Sequence, residues 1–299
     1  KLENRYIRGD IEGLKLDEDG NVIAGAKFGL FKPGTTEFTE ENAVLVTESD
    51  SEGKFRFEDI RFGKWIVREL VPATGYVLNE TPIEVNIQTE GEIINISFEN
   101  KFIRSDIKGY KVDEDGKPVE GALFGLFTED ETEFTEERAV LTAKSDAEGI
   151  FFFDDVRFGK WIVKELAPAE GFVANDTVFP IDVTTDGAVI EINAENRHIY
   201  GMVHTTKVDK DYPDNLLAGA IFEIYMDVDG NKEFNADVDT LVGEMVEYEP
   251  GLYELENLRY GGYFLYEKQA PANYVKDDAY HYFAIVNDGE MVEIGRAHV

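Results

Sequence analysis

The sequence predicts an all-β chain, a rod of tandem antiparallel β-sandwich domains of the immunoglobulin-like kind. Three observations lead there. The 299 residues repeat themselves, apolar and polar residues alternate over short runs, and no Pro-, Gly- or Ser-rich linker parts one repeat from the next.

The repeat is visible by eye. GLKLDEDGNVIAGAKFGLF at 13–31 returns as GYKVDEDGKPVEGALFGLF at 109–127, and FGKWIVRELVPATGY at 62–76 returns as FGKWIVKELAPAEGF at 158–172, both ninety-six positions on. A looser third copy, TTKVDKDYPDNLLAGAIFEIY, starts at 205. Its YGGYFLYEKQAPANY at 260–274 comes six places late because an acidic stretch, MDVDGNKEFNADVDT, replaces a shorter loop. The opening KLENR matches the closing FENK at 98–101 and AENR at 194–197, so 1–5 reads as the last strand of a repeat further upstream. The expected domains are therefore 6–101, 102–197 and 198–299, each large enough to bury its own core.

Runs such as 54–57, 65–70 and 92–99 are rich in β-branched and aromatic residues. Turn formers bound them, for example Asp19 with Gly20 and Glu52 with Gly53. About seven such runs per repeat suit a sandwich. The stretch 39–42 is expected to add a single helical turn.

Composition removes several functions. With 62 acidic against 29 basic residues and a net charge of -33, the chain offers no cationic face to nucleic acid or to an anionic bilayer. The absence of cysteine excludes thiol catalysis, thiolate metal sites and disulfides, so any covalent staple must use other chemistry. No apolar run reaches the roughly 18 residues that span a bilayer, and the first residues lack a signal-peptide pattern, so direct membrane insertion is not expected of this stretch.

Alternate residues of a strand share a face, and that parity singles out polar residues on apolar faces. Trp65, Val67 and Glu69 share one side, as do Trp161, Val163 and Glu165, and Tyr263, Leu265 and Glu267. In the closing strand Asn100 follows Ile94, Ile96 and Phe98, and Asn196 follows Ile190, Ile192 and Ala194. Lys15 shares parity with Ile11 and Gly13, and Lys207 with Val203 and Thr205.

Lys15, Glu69 and Asn100 recur at one constant offset as Lys111, Glu165 and Asn196, as one spatial cluster per repeat would require. Buried together, the amine and the carboxyl are driven toward their neutral forms, and a neutral amine is a nucleophile toward an adjacent carboxamide. Two readings fit the parity equally: a buried Lys–Glu ion pair with a hydrogen-bonded Asn, or a Lys–Asn amide bond formed with Glu as proton carrier.

The order of these segments resembles a known family. A first strand with a central Lys, then DEDG and GAxFGLF, a strand leading into ExxPAxGY/F, and a last strand closing in ENK/R resemble the B-type repeats of collagen adhesin and the SpaA-like pilin domains of Gram-positive bacteria. The resemblance covers nearly the whole chain. It implies prealbumin-like sandwiches, an isopeptide bond from the first-strand Lys to the last-strand Asn, and Glu as catalyst. By position these fall on Lys15, Glu69 and Asn100, and on Lys111, Glu165 and Asn196. It further implies a stalk segment of an extracellular surface adhesin or pilin, anchored to the cell wall through other regions. Its partners would be neighbouring repeats, pilin subunits or host matrix, with no turnover catalysis.

The third copy departs from this pattern. The count of ten that reaches Asn100 from Glu90 and Asn196 from Asp186 reaches His298 from Asp288, and Arg296 stands where an inward apolar residue is expected. Lys207 and Glu267 are therefore expected to stay unlinked, as is Asn4 at the other end.

The inserted loop sets Asp227, Asp229, Asn231, Asp237 and Asp239 at alternating positions, a pattern of oxygen ligands suited to calcium, although it is not an EF-hand and a solvated acidic hairpin fits as well. No other cofactor is expected. The four histidines lack ligand spacing, and the parity of Trp65 and Trp161 assigns them to packing over sugar binding. An adhesive module would need a patch unique to one repeat, and a glycosidase would not repeat its carboxylates in every copy.

Overall fold

The computed structural model describes residues 1–294. Repeat 1 contains β1 (Arg8–Asp17), β2 (Lys27–Phe31), β3 (Leu45–Glu48), β4 (Lys54–Arg61), β5 (Gly63–Val71), β6 (Ile83–Ile87) and β7 (Glu92–Asn100). One sheet runs β4-β1-β7 and the facing sheet β3-β2-β5-β6. Repeat 2 reproduces both sheets with β8 (Arg104–Asp113), β9 (Leu123–Thr128), β10 (Leu141–Lys144), β11 (Ile150–Arg157), β12 (Gly159–Ala167), β13 (Val178–Val183) and β14 (Ala188–Asn196).

Repeat 3 contains β15 (Tyr200–Thr206), β16 (Ile221–Met226), β17 (Thr240–Glu244), β18 (Val246–Glu249), β19 (Leu252–Arg259), β20 (Gly261–Gln269), β21 (Tyr280–Ile285) and β22 (Met291–Ile294). Its extra strand, β18, lies outside β19 and makes that sheet four-stranded. The expected helical turn at 39–42 is one hydrogen-bonded turn, in which Asn42 and Ala43 donate to the Thr39 carbonyl. No helix among the described residues is long and apolar enough to cross a membrane.

One feature of the sheets differs from the antiparallel expectation. β1 pairs with β7 in parallel, from Gly9 opposite Glu92 to Asp17 opposite Asn100, and β8 with β14 and β15 with β22 pair likewise. All other strand pairs among the described residues are antiparallel. The cause is topological. Between β1 and β7 the chain passes through the facing sheet, so it returns beside its first strand in the same direction and leaves at the end opposite its entry.

Alternation along β1 buries Gly9, Ile11, Gly13, Lys15 and Asp17 and leaves the intervening residues half-exposed. Facing this row, the rings of Phe28 and Phe55 stack with centroids 3.8 Å apart and Phe98 packs against both. Gly13 is the condition for that stack, since a Cβ there would lie 1.9 Å from the Phe55 ring. Repeat 2 repeats the device with Gly109, Phe124 and Phe151.

Overpacking a filled core costs about 1–3 kcal/mol. Gly13→Ala should lower the melting transition of repeat 1 by several degrees while leaving those of repeats 2 and 3 in place, as read by calorimetry.

Candidate cross-linking site

Three strands bring the singled-out residues to one point. Lys15 comes from β1, Asn100 from the parallel neighbour β7, and Glu69 from β5 across the sandwich. All three are buried, at 0%, 1% and 1% exposure respectively, and the equivalents Lys111, Glu165 and Asn196 lie at 0%, 6% and 3%.

Glu69 is the hub of the repeat 1 cluster. Its Oε1 accepts a 2.9 Å hydrogen bond from Asn100 Nδ2 and lies 3.9 Å from Lys15 Nζ, while its Oε2 accepts the Asn79 amide at 2.7 Å. Lys15 Nζ donates to the carbonyls of Leu16 and Phe98 at 3.2 and 3.3 Å. The amine and the carboxamide thus meet at one carboxylate oxygen. Repeat 2 is built alike: Asn196 Nδ2 donates to both oxygens of Glu165 at 2.9 and 3.0 Å, Asn175 donates its amide to Glu165, and Lys111 Nζ donates to Val112 and Ala194.

The polar accounting leaves one acceptor over in each copy. Asn100 Oδ1 and Asn196 Oδ1 are buried and accept no hydrogen bond. An orphaned buried acceptor costs about 1–3 kcal/mol, so the cluster holds this amide oxygen at a loss.

Burial pushes the Lys15 ammonium down to about 8, against the opposing pull of the Glu69 charge. It pushes the Glu69 carboxyl upward, against hydrogen bonds from Asn79 and Asn100 and the charge of Lys15. Burial likewise lowers Lys111, opposed first by Glu165. Both shifts in repeat 1 favour a neutral amine beside a neutral acid.

Asn79 and Asn175 were not singled out from the sequence. Besides the backbone amide given to Glu69, Asn79 donates its side-chain amide to the Glu99 carbonyl at 2.9 Å, and Asn175 does the same to Glu195 at 2.6 Å. Each clip fixes the carboxylate and the last strand together. The readable signal was the Asn three residues beyond the PAxGY/F corner.

Repeat 3 arranges its pair differently. Lys207 Nζ lies 2.9 Å from Glu267 Oε1, both side chains are buried, and Asp277 replaces Asn79 in donating its amide to Glu267. His298 and Arg296 lie outside the described residues. Asn4 is exposed and belongs to no strand.

In the inserted loop the carboxylates of Asp227, Asp229 and Asp239 gather within 4.8 Å of one another. Asp237 is not in that group, and Asn231 turns its amide onto Asp229. All four oxygens of Asp227 and Asp239 accept backbone amides, from Val228, Gly230, Lys232 and Asn235, and these bonds close the loop.

The family model of the SpaA prealbumin-like fold domain matches three times, over residues 9–102, 105–198 and 201–297. The chain belongs to this family. Three SpaA prealbumin-like fold domains stand here in tandem. The Bacillus anthracis TIE protein is similar in fold, with a TM-score of 0.79 and 24% identity over 97% of this chain and 50% of that one. The chain therefore spans about half the length of that protein. BcpA, the major pilin subunit of Bacillus cereus, aligns at 18% identity over 96% of this chain and 99% of that one, with a TM-score of 0.44. No curated protein matches.

The two shifts in repeat 1 predict opposite pH responses once the amide is removed. In Asn100→Ala, the unfolded Lys15 binds more protons than the folded one between about 8 and 10.5, so stability should rise with pH across that window. Glu69 holds its proton longer when folded, so its contribution should fall as pH climbs above 4.5. Chemical denaturation at stepped pH, compared with Lys15→Met/Asn100→Ala, isolates the first effect. A flat difference between the two variants from pH 8 to 10.5 would show that burial does not hold the amine neutral.

Proposed function

We propose that the chain is a load-bearing stalk segment of a Gram-positive surface adhesin or pilin, riveted by amide bonds from Lys15 to Asn100 and from Lys111 to Asn196. The observation that carries this reading is the dry cluster in which a depressed amine and a carboxamide share one carboxyl group between the first and last strands of the repeat.

The chemistry follows from the protonation states. Proton transfer within the pair leaves Lys15 as amine and Glu69 as acid. When the Asn100 carboxamide turns over, its orphaned Oδ1 accepts the Glu69 proton, which polarises the carbonyl. Lys15 Nζ then attacks Asn100 Cγ, forming a C–N bond. As the tetrahedral centre collapses, the bond from Cγ to Nδ2 breaks and Glu69 relays the surplus proton of Nζ to the departing nitrogen. The Oδ1 proton returns to Glu69 as the carbonyl re-forms, so the products are one secondary amide and one ammonia, with Glu69 again an acid. Each site acts once, so this is assembly and not turnover.

The parallel pairing gives the bond its mechanical sense. Tension enters at the start of β1 and leaves at the end of β7, which loads their hydrogen-bond ladder in shear. A bond from Lys15 to Asn100 routes that load past everything between them. In the unfolded state a closed loop of that span loses about 4–5 kcal/mol of chain entropy, by analogy with a disulfide. Between rivets, the stretch from Asn100 to Lys111 can extend to at most about 40 Å.

Intact mass of the denatured chain tests the bonds. Two cross-links make it lighter than its sequence by two ammonia molecules, and Glu69→Ala and Glu165→Ala should each restore one. A chain at full sequence mass sinks the proposal. In single-molecule pulling, Glu69→Ala should add about 3.3–3.6 Å for each residue released between Lys15 and Asn100.

A further inference from the structure

The two junctions inside the chain use one interface twice. At the first, the corner at Gly75 and Tyr76 and the acidic turn at Glu18 and Asp19 receive the start of repeat 2. Ile103 donates its amide to the Gly75 carbonyl at 2.9 Å, Tyr76 packs on Phe102, and Arg157 covers the Phe102 ring. Arg104 Nη2 binds Glu18 at 2.8 Å and Arg157 binds Asp19 at 2.9 Å. At the second junction Ile199 donates to Gly171, Phe172 packs on His198, Glu114 takes His198 and Tyr200, and Arg259 approaches Asp115. Glycine suits both corners, which have φ of +90° and +84°, and a Cβ would crowd Phe158 at 2.9 Å from Gly75 and Tyr260 at 3.2 Å from Gly171.

Repeat 1 carries at its own head, already assembled, the half of this interface that repeats 2 and 3 present to the repeat before them. Tyr6 stands where Phe102 and His198 stand, with the Arg61 guanidinium over its ring at 4.9 Å as Arg157 lies over Phe102. Phe62 donates its amide to Ile7 at 2.8 Å, as Phe158 does to Ile103. Arg8 uses Nη1 on Asp59, as Arg104 does on Asp155. Its Nη2, the atom that holds Glu18 in Arg104, has no partner among the described residues. Tyr6 and Phe62 are 65% and 56% exposed.

We infer that this face docks the acidic turn and glycine corner of a further repeat of the same type. The occupant is set by charge and shape together: Arg8 Nη2 and Arg61 call for a Glu followed directly by an Asp, and Tyr6 and Phe62 call for an aromatic beside a glycine. The tail of repeat 3 does not meet that specification. Lys210 stands where Glu18 and Glu114 stand, and Asn273 where Gly75 and Gly171 stand. A turn like that of repeat 3 would place a cation against Arg8. The interface is independent of the proposed amide bonds and can fail or hold without them.

The test fuses a copy of residues 102–197 directly to Tyr6 of the chain in place of residues 1–5, and follows amide exchange at Ile7, whose counterparts Ile103 and Ile199 are bonded across their junctions. Docking should slow Ile7 exchange by about tenfold or more relative to the unextended chain. Glu114→Lys, made only in the added copy, imports the repeat 3 residue without touching repeat 1 and should return the rate most of the way. An unchanged Ile7 rate means that the added repeat is merely tethered and overturns the inference. Equal slowing by the Lys variant overturns it as well, because the charge specification would then be idle.

Discussion

The structure depends on one costly interaction, a lysine and a glutamate taken out of water beside an asparagine. Two isolated buried charges would cost several kcal/mol each, and coulombic attraction alone rarely recovers it. The cluster lowers the cost in two ways visible in its geometry. Burial moves Lys15 and Glu69 toward neutrality, and backbone groups take up what remains: the Leu16 and Phe98 carbonyls for the amine, the Asn79 amide for the carboxylate. The surrounding wall keeps water out. Phe28, Phe55 and Phe98 belong to it, and the Phe55 ring fits only because residue 13 has no side chain.

That local arrangement gains mechanical meaning from topology. With antiparallel first and last strands, the chain would enter and leave each repeat at the same end and tension would unzip the ladder one bond at a time. The parallel register instead spreads load along the paired residues of β1 and β7, and it puts successive repeats head to tail. The junctions complete the path. Ile103 and Ile199 bond to the preceding corner, and arginines close on the preceding acidic turn, so the connections are packed interfaces and not linkers.

Much of this was legible in the residues, for reasons that also mark where reading stops. Alternation carries burial, so Lys15, Glu69 and Asn100 could be placed on inward faces, and a constant offset implied that they meet. Strand direction leaves no such trace, because period two is the same in parallel and antiparallel ladders; the parallel pairing of β1 with β7 was therefore missed. Gly13 read as an unremarkable inward residue, since the stacked rings that need its missing Cβ come from two other strands. Asn79 sits in a loop, where parity says nothing. In the acidic loop, alternation suggested five oxygen ligands; of its aspartates the turns gather Asp227, Asp229 and Asp239, and Asn231 bonds to Asp229.

Comparing the three repeats separates what the lysine and glutamate do from what the asparagine does. In repeat 3 Lys207 and Glu267 close to 2.9 Å, whereas in repeat 1 Lys15 and Glu69 stand 3.9 Å apart with the Asn100 amide on the same carboxylate oxygen. A direct contact of the first kind pairs the two charges at close range, yet Lys207 Nζ and Glu267 Oε1 form no hydrogen bond among the described residues. The second kind turns the amine toward backbone carbonyls, occupies the carboxylate with the carboxamide, and leaves Oδ1 of that carboxamide unpaired. The pair is thus held open by the group it would act on, at the expense of a buried unsatisfied oxygen. Such a loss is tolerable where the surrounding fold over-determines the geometry, and a sandwich that clamps Glu69 through Asn79 and Asn100 through the β1 ladder does so.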